Sequence, residues 1–265
     1  MVTVLLAAAI ASLAPVSAAD EEILPVARPA MWLVSDEDTT IYLFGTFHAL
    51  DGKSNWFTEG VKTAFMASDE LVLETLLPAK PTSRRGLDVN SVASSPIKPG
   101  ASFLASTRLA LSAGHSRGLS VDLGADQVLR RAAVESGKPV SGIETFEFQL
   151  GMFSQIPAAP APRLTAAQGQ AAVETLAHTM SVMQLAWNRG DGRIFADMLD
   201  NMHQGSPETY RILFVDRNER WAEWIANRLD RPGTVFVAVG AGHLAGPDSL
   251  QNKLGQIGVR SSRIN

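Results

Sequence analysis

Two histidines lie in two short copies of one pattern, each placed directly after an apolar run. Gly45-Thr46-Phe47-His48 follows residues 41–44, and Gly240-Ala241-Gly242-His243 follows residues 234–239. Buried parallel strands read as continuous apolar runs, and ligands of open α/β sheets gather outside the carboxyl ends of the strands. Because glycine lets the backbone turn at each strand end, we expect both imidazoles to point into one cleft. Such a pair suits a metal site or acid/base chemistry.

Two glutamates end predicted strands as well. Glu74 closes the run 70–74, and Glu144 follows the run 139–143. Two neutral imidazoles and one or two carboxylates can hold a divalent ion such as Mn, Co, Fe or Zn and leave a water position open. A bound ion acidifies that water, and a carboxylate that is not a ligand can act as general base. The sequence therefore predicts His48, His243 and one glutamate as metal ligands, with the other glutamate as base.

Glu74 is the favoured metal ligand of the two glutamates. Its strand is close in sequence to the strand that precedes His48, and consecutive strands are often neighbours in a sheet. Glu144 is then the favoured general base.

The elements that must position these residues follow from the hydrophobic periodicity. The predicted strands are 31–35, 41–45, 70–74, 139–143 and 234–239, with an edge strand at 258–260. The predicted helices are 56–67, 102–113, 126–136, 164–189, 191–202, 207–229 and 248–254. This alternation predicts the α/β class, with a mixed sheet, an active-site cleft at the strand ends and a helical block (about 163–230) inserted before the last core strand. Residues 78–100 and 157–162 are predicted to form a loop and a linker.

The beginning of the chain resembles a secretory signal peptide. Residues 2–16 are almost all apolar or small, and small residues at 17–19 precede acidic Asp20. We therefore expect residues 1–19 to be removed on export and residues 20–265 to form a single α/β domain in the periplasm or outside the cell. The apolar stretch is shorter than the ~20 residues of a spanning helix, so we expect no stable membrane insertion after cleavage.

Composition limits the classes of partner and site. The chain has 265 residues, of which 46% are hydrophobic, enough for a sizeable core. A net charge of −4 without a basic stripe argues against nucleic acid and anionic membranes as partners. Separately from the charge, we expect a peptide or a small-molecule substrate. The sequence contains no cysteine, and this excludes disulfides and zinc–thiolate sites.

Arg217 and Asn218 are further candidates for a catalytic role. They lie on a predicted helix with an apolar core-facing side. The planar guanidinium of Arg217 could bind a substrate carboxylate or an oxyanion. Alternatively, Arg217 pairs with Asp216, Glu219 or Asp230 on a solvated face.

Short motifs along most of the chain, in their order and spacing, resemble the TraB/GumN family. They are Trp32-Leu33-Val34, the two glycine–histidine runs, residues 70–75, residues 137–145 with Gln149, Arg217-Asn218 ahead of Trp221, and residues 237–246. The resemblance implies a fold akin to the erythromycin esterase and ChaN-like group, with both histidine motifs and a glutamate as the active site. In the Tiki branch of the family the activity is metal-dependent peptide cleavage. The resemblance also favours a functional role for Arg217 and Asn218.

Together, these observations predict an exported metal-dependent hydrolase that acts on a peptide or amide bond. Two other functions compete with this prediction. Gly114-His115-Ser116-Arg117-Gly118 fits the Gly-x-Ser-x-Gly elbow of serine hydrolases, with His243 later in the chain. That motif needs a strand before it and a helix after it, whereas the sequence predicts a helix before it. The non-enzymatic alternative is an exported protein that binds a peptide or haem in the same cleft.

Overall fold

The computed structural model describes residues 25–76, 109–110, 112–157 and 165–265. The predicted signal peptide, the predicted loop 78–100, most of the linker 157–162 and most of the predicted helix 102–113 lie outside the described residues. None of the helices in the described residues is long and apolar enough to cross a membrane.

Six strands in the described residues form one sheet. They are β1 (Met31–Ser35), β2 (Thr39–Thr46), β3 (Glu70–Thr75), β4 (Val140–Glu144), β5 (Gly233–Gly240) and β6 (Ser262–Arg263). Their order across the sheet is β4-β3-β5-β2-β1-β6. The first four strands in that order are parallel, whereas β1 runs antiparallel to both of its neighbours. The predicted α/β class with a mixed sheet is confirmed.

Helices connect the strands and cover the sheet. They are α1 (Glu59–Ala67), α2 (Ala125–Glu135), α3 (Phe146–Gln155), α4 (Ala166–Asn188), α5 (Arg193–Gly205), α6 (Pro207–Tyr210), α7 (Asp216–Leu229) and α8 (Leu250–Gln256). A π-helical turn at Arg211–Val215 joins α6 to α7, and a 3₁₀ turn at Ala241–Leu244 follows β5. Helices α3 to α7 lie between β4 and β5 in the sequence.

Both faces of the sheet are buried, which explains why β2 and β5 are apolar at nearly every position. On one face, Phe44 and Phe236 belong to a cluster that includes residues of α1, α2, α4 and α5. On the other face, Leu43 and Val237 pack with residues of α7 and α8, among them Trp221. The two layers of helices hold the strand ends, and therefore the loops that follow them, in fixed positions.

Three details differ from the sequence-based predictions. First, β5 lies between β2 and β3, so the prediction that the Glu74 strand neighbours the His48 strand is wrong. Neighbouring in sequence is only a tendency, and parallel pairing with β5 prevails on both sides. Second, the edge strand is at Ser262–Arg263 rather than 258–260, because Gly258 forms a turn with φ of 84°. Third, α3 was not predicted, since its apolar residues have no helical period.

Candidate functional site

The four predicted strand-end residues lie at one edge of the sheet. Glu144, Glu74, His243 and His48 belong to the ends of β4, β3, β5 and β2 or to the residues that follow, in that spatial order. The register pairs Thr75 with Glu144, and Thr46 with Gly240. Parallel strands bring their carboxyl ends to the same edge, so residues far apart in sequence come together here.

Gly240, the last residue of β5, is the point on which three of these side chains converge. Its N–H donates to Glu74 Oε1 at 2.5 Å. A Cβ atom at this position would lie 3.0 Å from Glu74 Oε1, 3.4 Å from His48 Nε2 and 3.8 Å from His243 Cδ2. A side chain here would have to displace Glu74 and His48 slightly, and glycine avoids this displacement, although the backbone itself (φ −54°, ψ 137°) is allowed to any residue.

Arg217 of α7 lies buried in the middle of the cluster. Its Nε donates to Glu144 at 3.0 Å, and its Nη2 donates to both Glu144 and Glu74 at 2.9 Å. Nη1 lies 3.0 Å from His243 Nε2 and 3.4 Å from the carbonyl oxygen of Leu213. All five N–H groups of the guanidinium thus have an acceptor.

This arrangement corrects one interpretation of Arg217. The alternative that it pairs with Asp216, Glu219 or Asp230 on a solvated face is wrong, because Arg217 is only 6% exposed and its ion pairs are with Glu74 and Glu144. The residue points inward because it lies one turn before the buried Trp221 and two turns before Ile225, on the face of α7 that packs against the sheet.

Glu144 is surrounded by donors. Besides Arg217, its carboxylate accepts from Trp221 Nε1 at 3.0 Å and from Gln149 Nε2 at 3.2 Å. The side chain is buried and does not line the cleft described below. Its oxygen atoms are occupied in holding the guanidinium of Arg217 in place.

Asn218 fixes the tautomer of His243. The Asn218 amide nitrogen donates to the carbonyls of His243, at 3.2 Å, and Asp248, at 2.7 Å. Its oxygen therefore faces His243 Nδ1, at 2.7 Å, and accepts the proton of that nitrogen. The lone pair of the imidazole is then on Nε2. Burial and the charge of Arg217 lower the pKa of His243 to about 3, so the ring is neutral.

His48 has a different environment. Its Nδ1 lies 3.0 Å from Asp126 Oδ1, and its side chain is 59% exposed. Desolvation lowers its pKa, but the hydrogen bond to Asp126 and the negative charges of Asp126 and Glu74 outweigh that effect and raise the pKa to about 9. The backbone is held as well. Ala125 N–H donates to the Phe47 carbonyl at 3.0 Å.

Glu74 is a carboxylate at neutral pH. Burial would raise its pKa, but the positive charge of Arg217 and the N–H of Gly240 contribute to a net shift well below the usual range. Its Oε2 accepts from Arg217, whereas Oε1 faces both the Gly240 N–H and, at 3.9 Å, His243 Nε2. Of the two glutamates, Glu74 is the one that lines the cleft.

The cleft above these side chains has a volume of about 250 Å³. His48, Glu74, Arg217 and His243 form its polar side. The lining also includes large apolar side chains, a group that we call the apolar wall: Phe153, Met183, Phe195, Met198, Leu213 and Phe214. Phe214 belongs to the π-helical turn, and its ring centroid lies 4.9 Å from that of His243. A Cβ on Gly242 would lie 3.2 Å from the Phe214 ring, so this glycine lets Phe214 approach.

The donor set has the chemistry of a divalent-metal site. One imidazole nitrogen (His48 Nε2), a carboxylate oxygen (Glu74 Oε1) and the edge of the His243 ring (Cδ2) face the space that a Cβ of residue 240 would fill. Within the described part of the chain, however, no three His, Cys, Asp or Glu side chains already surround one point as metal ligands do. In this arrangement Arg217 Nη1 donates to the lone pair of His243 Nε2.

Asp126, Gln149 and Trp221 were missed as members of this network. Asp126 is an acidic residue in the first turn of α2, a position that predicts a favourable charge near a helix N-terminus but no partner.

Ser116 takes no part in the cluster. It lies in a turn after residues 112–115 of a helix and donates to the carbonyl of Ala113, so the strand–turn–helix context of a nucleophile elbow is missing.

Comparison with sequence models of protein families matches residues 30–88 and 80–263 to the TraB/PrgY/gumN family. No curated protein and no solved structure matches the chain. The family match spans nearly all of the described residues, including every strand of the sheet and all members of the cluster around Arg217. The chain therefore belongs to the TraB/PrgY/gumN family.

Proposed function

We propose that this protein is a metal-dependent hydrolase that cleaves a peptide or amide bond in the cleft at the carboxyl edge of the sheet. The observation that supports the proposal is the convergence of His48 Nε2, Glu74 Oε1 and the His243 ring on the space beside Gly240. Histidine rings and a carboxylate from three separate strand ends, in a cleft that is also lined by the apolar wall, suit the binding and orientation of a substrate.

His48, His243 and Glu74 would hold the ion. The tautomer of His243 offers Nε2 as the ligand atom, and Asn218 holds the other ring nitrogen, as outer partners of metal-binding histidines do. Asp126 does the same for His48, whose raised pKa means that it would release its Nε2 proton on binding the ion. A bound divalent ion supplies a Lewis acid and lowers the pKa of a bound water. To bind the ion, His243 Nε2 would give up its hydrogen bond to Arg217 Nη1, and the bonds of Arg217 to Glu74 and Glu144 would keep the guanidinium in place.

Arg217 and Glu144 have positioning roles in this proposal. With its N–H groups already paired inside the protein, Arg217 orients Glu74 and carries a fixed positive charge beside the cleft. Glu144 orients Arg217. Glu74 thus lines the cleft and has a fixed orientation. Both properties support Glu74, rather than Glu144, as the ligand glutamate.

The decisive experiment combines metal binding with turnover. Titration calorimetry with Mn²⁺ on residues 20–265 should show one site that is lost in His243→Ala. Hydrolysis of a peptide library should stop with chelator and return with added divalent ion. Ser116→Ala is the matched control and should keep full activity. Chelator-insensitive hydrolysis that is lost in Ser116→Ala would contradict the proposal in favour of a serine hydrolase. Peptide or haem binding without turnover under any metal would favour the binding protein.

Export is a separate part of the proposal. It rests on the apolar stretch 2–16 and the small residues before Asp20. Sequencing the N-terminus of protein from the cell envelope or the medium should find a start just after Ala18 or Ala19. Full-length protein in the cytosol with Met1 intact would contradict it.

A further inference from the structure

The apolar wall gives the cleft a side without charge. Its six residues come from α3, α4, α5 and the π-helical turn. Three of them, Met183, Phe195 and Leu213, are buried against other core residues. Because these side chains are already held in place, the wall exists before a ligand arrives. Met198 and Phe214 are half-buried, and methionine adapts its shape to varied apolar partners.

The polar side of the cleft offers no net positive charge to a substrate carboxylate. The charged groups that line it are Glu74, Arg217 and His48. Each N–H group of Arg217 already faces an acceptor of the protein, and His48 is paired through Nδ1 with Asp126. The two cations are accompanied by three carboxylates, those of Glu74, Glu144 and Asp126, so among the described residues a free chain terminus of the substrate meets an excess of negative charge.

The volume of the cleft limits how much of a substrate enters. About 250 Å³ is less than the ~300–1,000 Å³ of clefts that take up a whole drug-sized ligand. One side chain and the adjoining bond fit this space, while the rest of a longer chain remains outside.

We infer that the apolar wall is a specificity subsite for one uncharged, apolar side chain, such as leucine, methionine or phenylalanine, beside the bond that is cleaved. The substrate is a peptide segment that needs no free carboxylate for recognition. This inference rests on the proposed function, because it names the substrate class of the same site.

Equilibrium binding tests the subsite without turnover. Titration calorimetry in chelator would use N-acetylated, C-amidated pentapeptides that differ only in a central Leu, Asp or Lys. The Leu peptide should bind at least about tenfold more tightly than the other two, the discrimination that an apolar pocket gives. Met198→Asp should remove most of this preference and Met198→Leu should keep it. Leu185→Asp, on an exposed face of α4 outside the cleft, is the control and should change nothing.

The outcomes separate the subsite from the proposed hydrolysis. Equal binding of the three peptides, no binding of any of them, or a preference that survives in Met198→Asp overturns the inference. If Met198→Asp does not fold, Met198→Gln replaces it, with a smaller loss expected. A preference for Leu without hydrolysis under any metal leaves the subsite intact and refutes the hydrolase. Hydrolysis without any preference among the peptides supports the hydrolase and refutes the subsite.

Discussion

Arg217 and Glu144 form a buried two-nitrogen ion pair across the sheet edge, in which Nε and Nη2 of the guanidinium both donate to one carboxylate. Trp221 and Gln149 complete the shell of the carboxylate. A pair of this kind sets the direction of the remaining nitrogen atom, and here Nη1 points at His243. The positions of two strand-end groups therefore depend on an arginine from a helix.

The first prediction concerns this pair. Removing one partner of a buried ion pair costs about 3–5 kcal/mol when the other charge is left uncompensated, but here Arg217 keeps its ion pair with Glu74. Glu144→Gln keeps the size of the side chain and weakens the hydrogen bonds to the guanidinium, so it should lower the free energy of unfolding by about 1–3 kcal/mol, measured by urea denaturation. Glu147→Gln, an exposed neighbour in α3, is the control and should change stability by less than about 0.5 kcal/mol. Equal stabilities of the two variants would show that Glu144 does not hold Arg217.

The second prediction concerns pH. The folded state raises the pKa of His48 from 6.5 to about 9, since Asp126 and Glu74 outweigh desolvation. A raised pKa contributes stability that is fully present below pH 6.5 and is lost as the pH rises to about 9. Asp126→Asn should therefore lower stability at pH 6 and flatten its decline between pH 6.5 and 9. Urea denaturation at pH 6 and pH 9 measures both effects.

His243 contributes in the opposite direction. Its pKa falls from 6.5 to about 3 because of burial and the charge of Arg217. The stability it contributes is present above pH 6.5 and is lost as the pH falls toward 3. His243→Asn removes that acidic slope while Asp126→Asn leaves it in place. If both variants change stability in the same pH range, acidic or alkaline, the opposite pKa shifts given to His48 and His243 are wrong.

The third prediction concerns the space beside Gly240. Gly240→Ala adds a Cβ 3.0 Å from Glu74 Oε1 and 3.4 Å from His48 Nε2, so the proposed ligands must move apart. We expect loss of Mn²⁺ binding in titration calorimetry, with the fold retained by circular dichroism. Gly255→Ala in α8 is the control, because its Cβ meets nothing within 4 Å. That helical substitution should stabilise the protein by about 0.5–1 kcal/mol without affecting the metal. Unchanged Mn²⁺ affinity in Gly240→Ala would contradict the proposed ligand set.

Some of this site could be predicted from the sequence and some could not, for physical reasons. His48, Glu74, Glu144 and His243 follow apolar strands, and parallel strands in one sheet bring such ends together whatever their order. The order itself depends on which strand pairs with β5, and no local pattern indicates that. Asp126 meets His48 through the packing of α2 on the loop after β2, a contact that neither segment reveals alone.

Arg217 shows the same limit at the level of one helix. Its spacing from Trp221 and Ile225 places it on the buried face of α7, but charged residues are rarely buried unless they are paired. Its partners, Glu74 and Glu144, belong to two strands far away in the sequence, and no pattern within α7 indicates them. The π-helical turn before α7, which holds Phe214 of the cleft, interrupts the single helix predicted over residues 207–229.

The last prediction concerns Asn218, which separates a metal-binding histidine from a merely buried one. Asn218→Leu is close in size but removes the acceptor of His243 Nδ1, so the ring is free to take the other tautomer, with its proton on Nε2. A partner of this kind is worth about 10–100-fold in metal affinity. We expect Mn²⁺ affinity to fall by that factor. In the ¹⁵N NMR spectrum, Nε2 of His243 should take the chemical shift of a protonated ring nitrogen and Nδ1 that of an unprotonated one. Asn252→Leu, an exposed position in α8, is the control and should alter neither measurement. If Asn218→Leu changes the tautomer but leaves Mn²⁺ affinity intact, His243 is not a ligand, and the metal-dependent hydrolase loses one of its three proposed ligands.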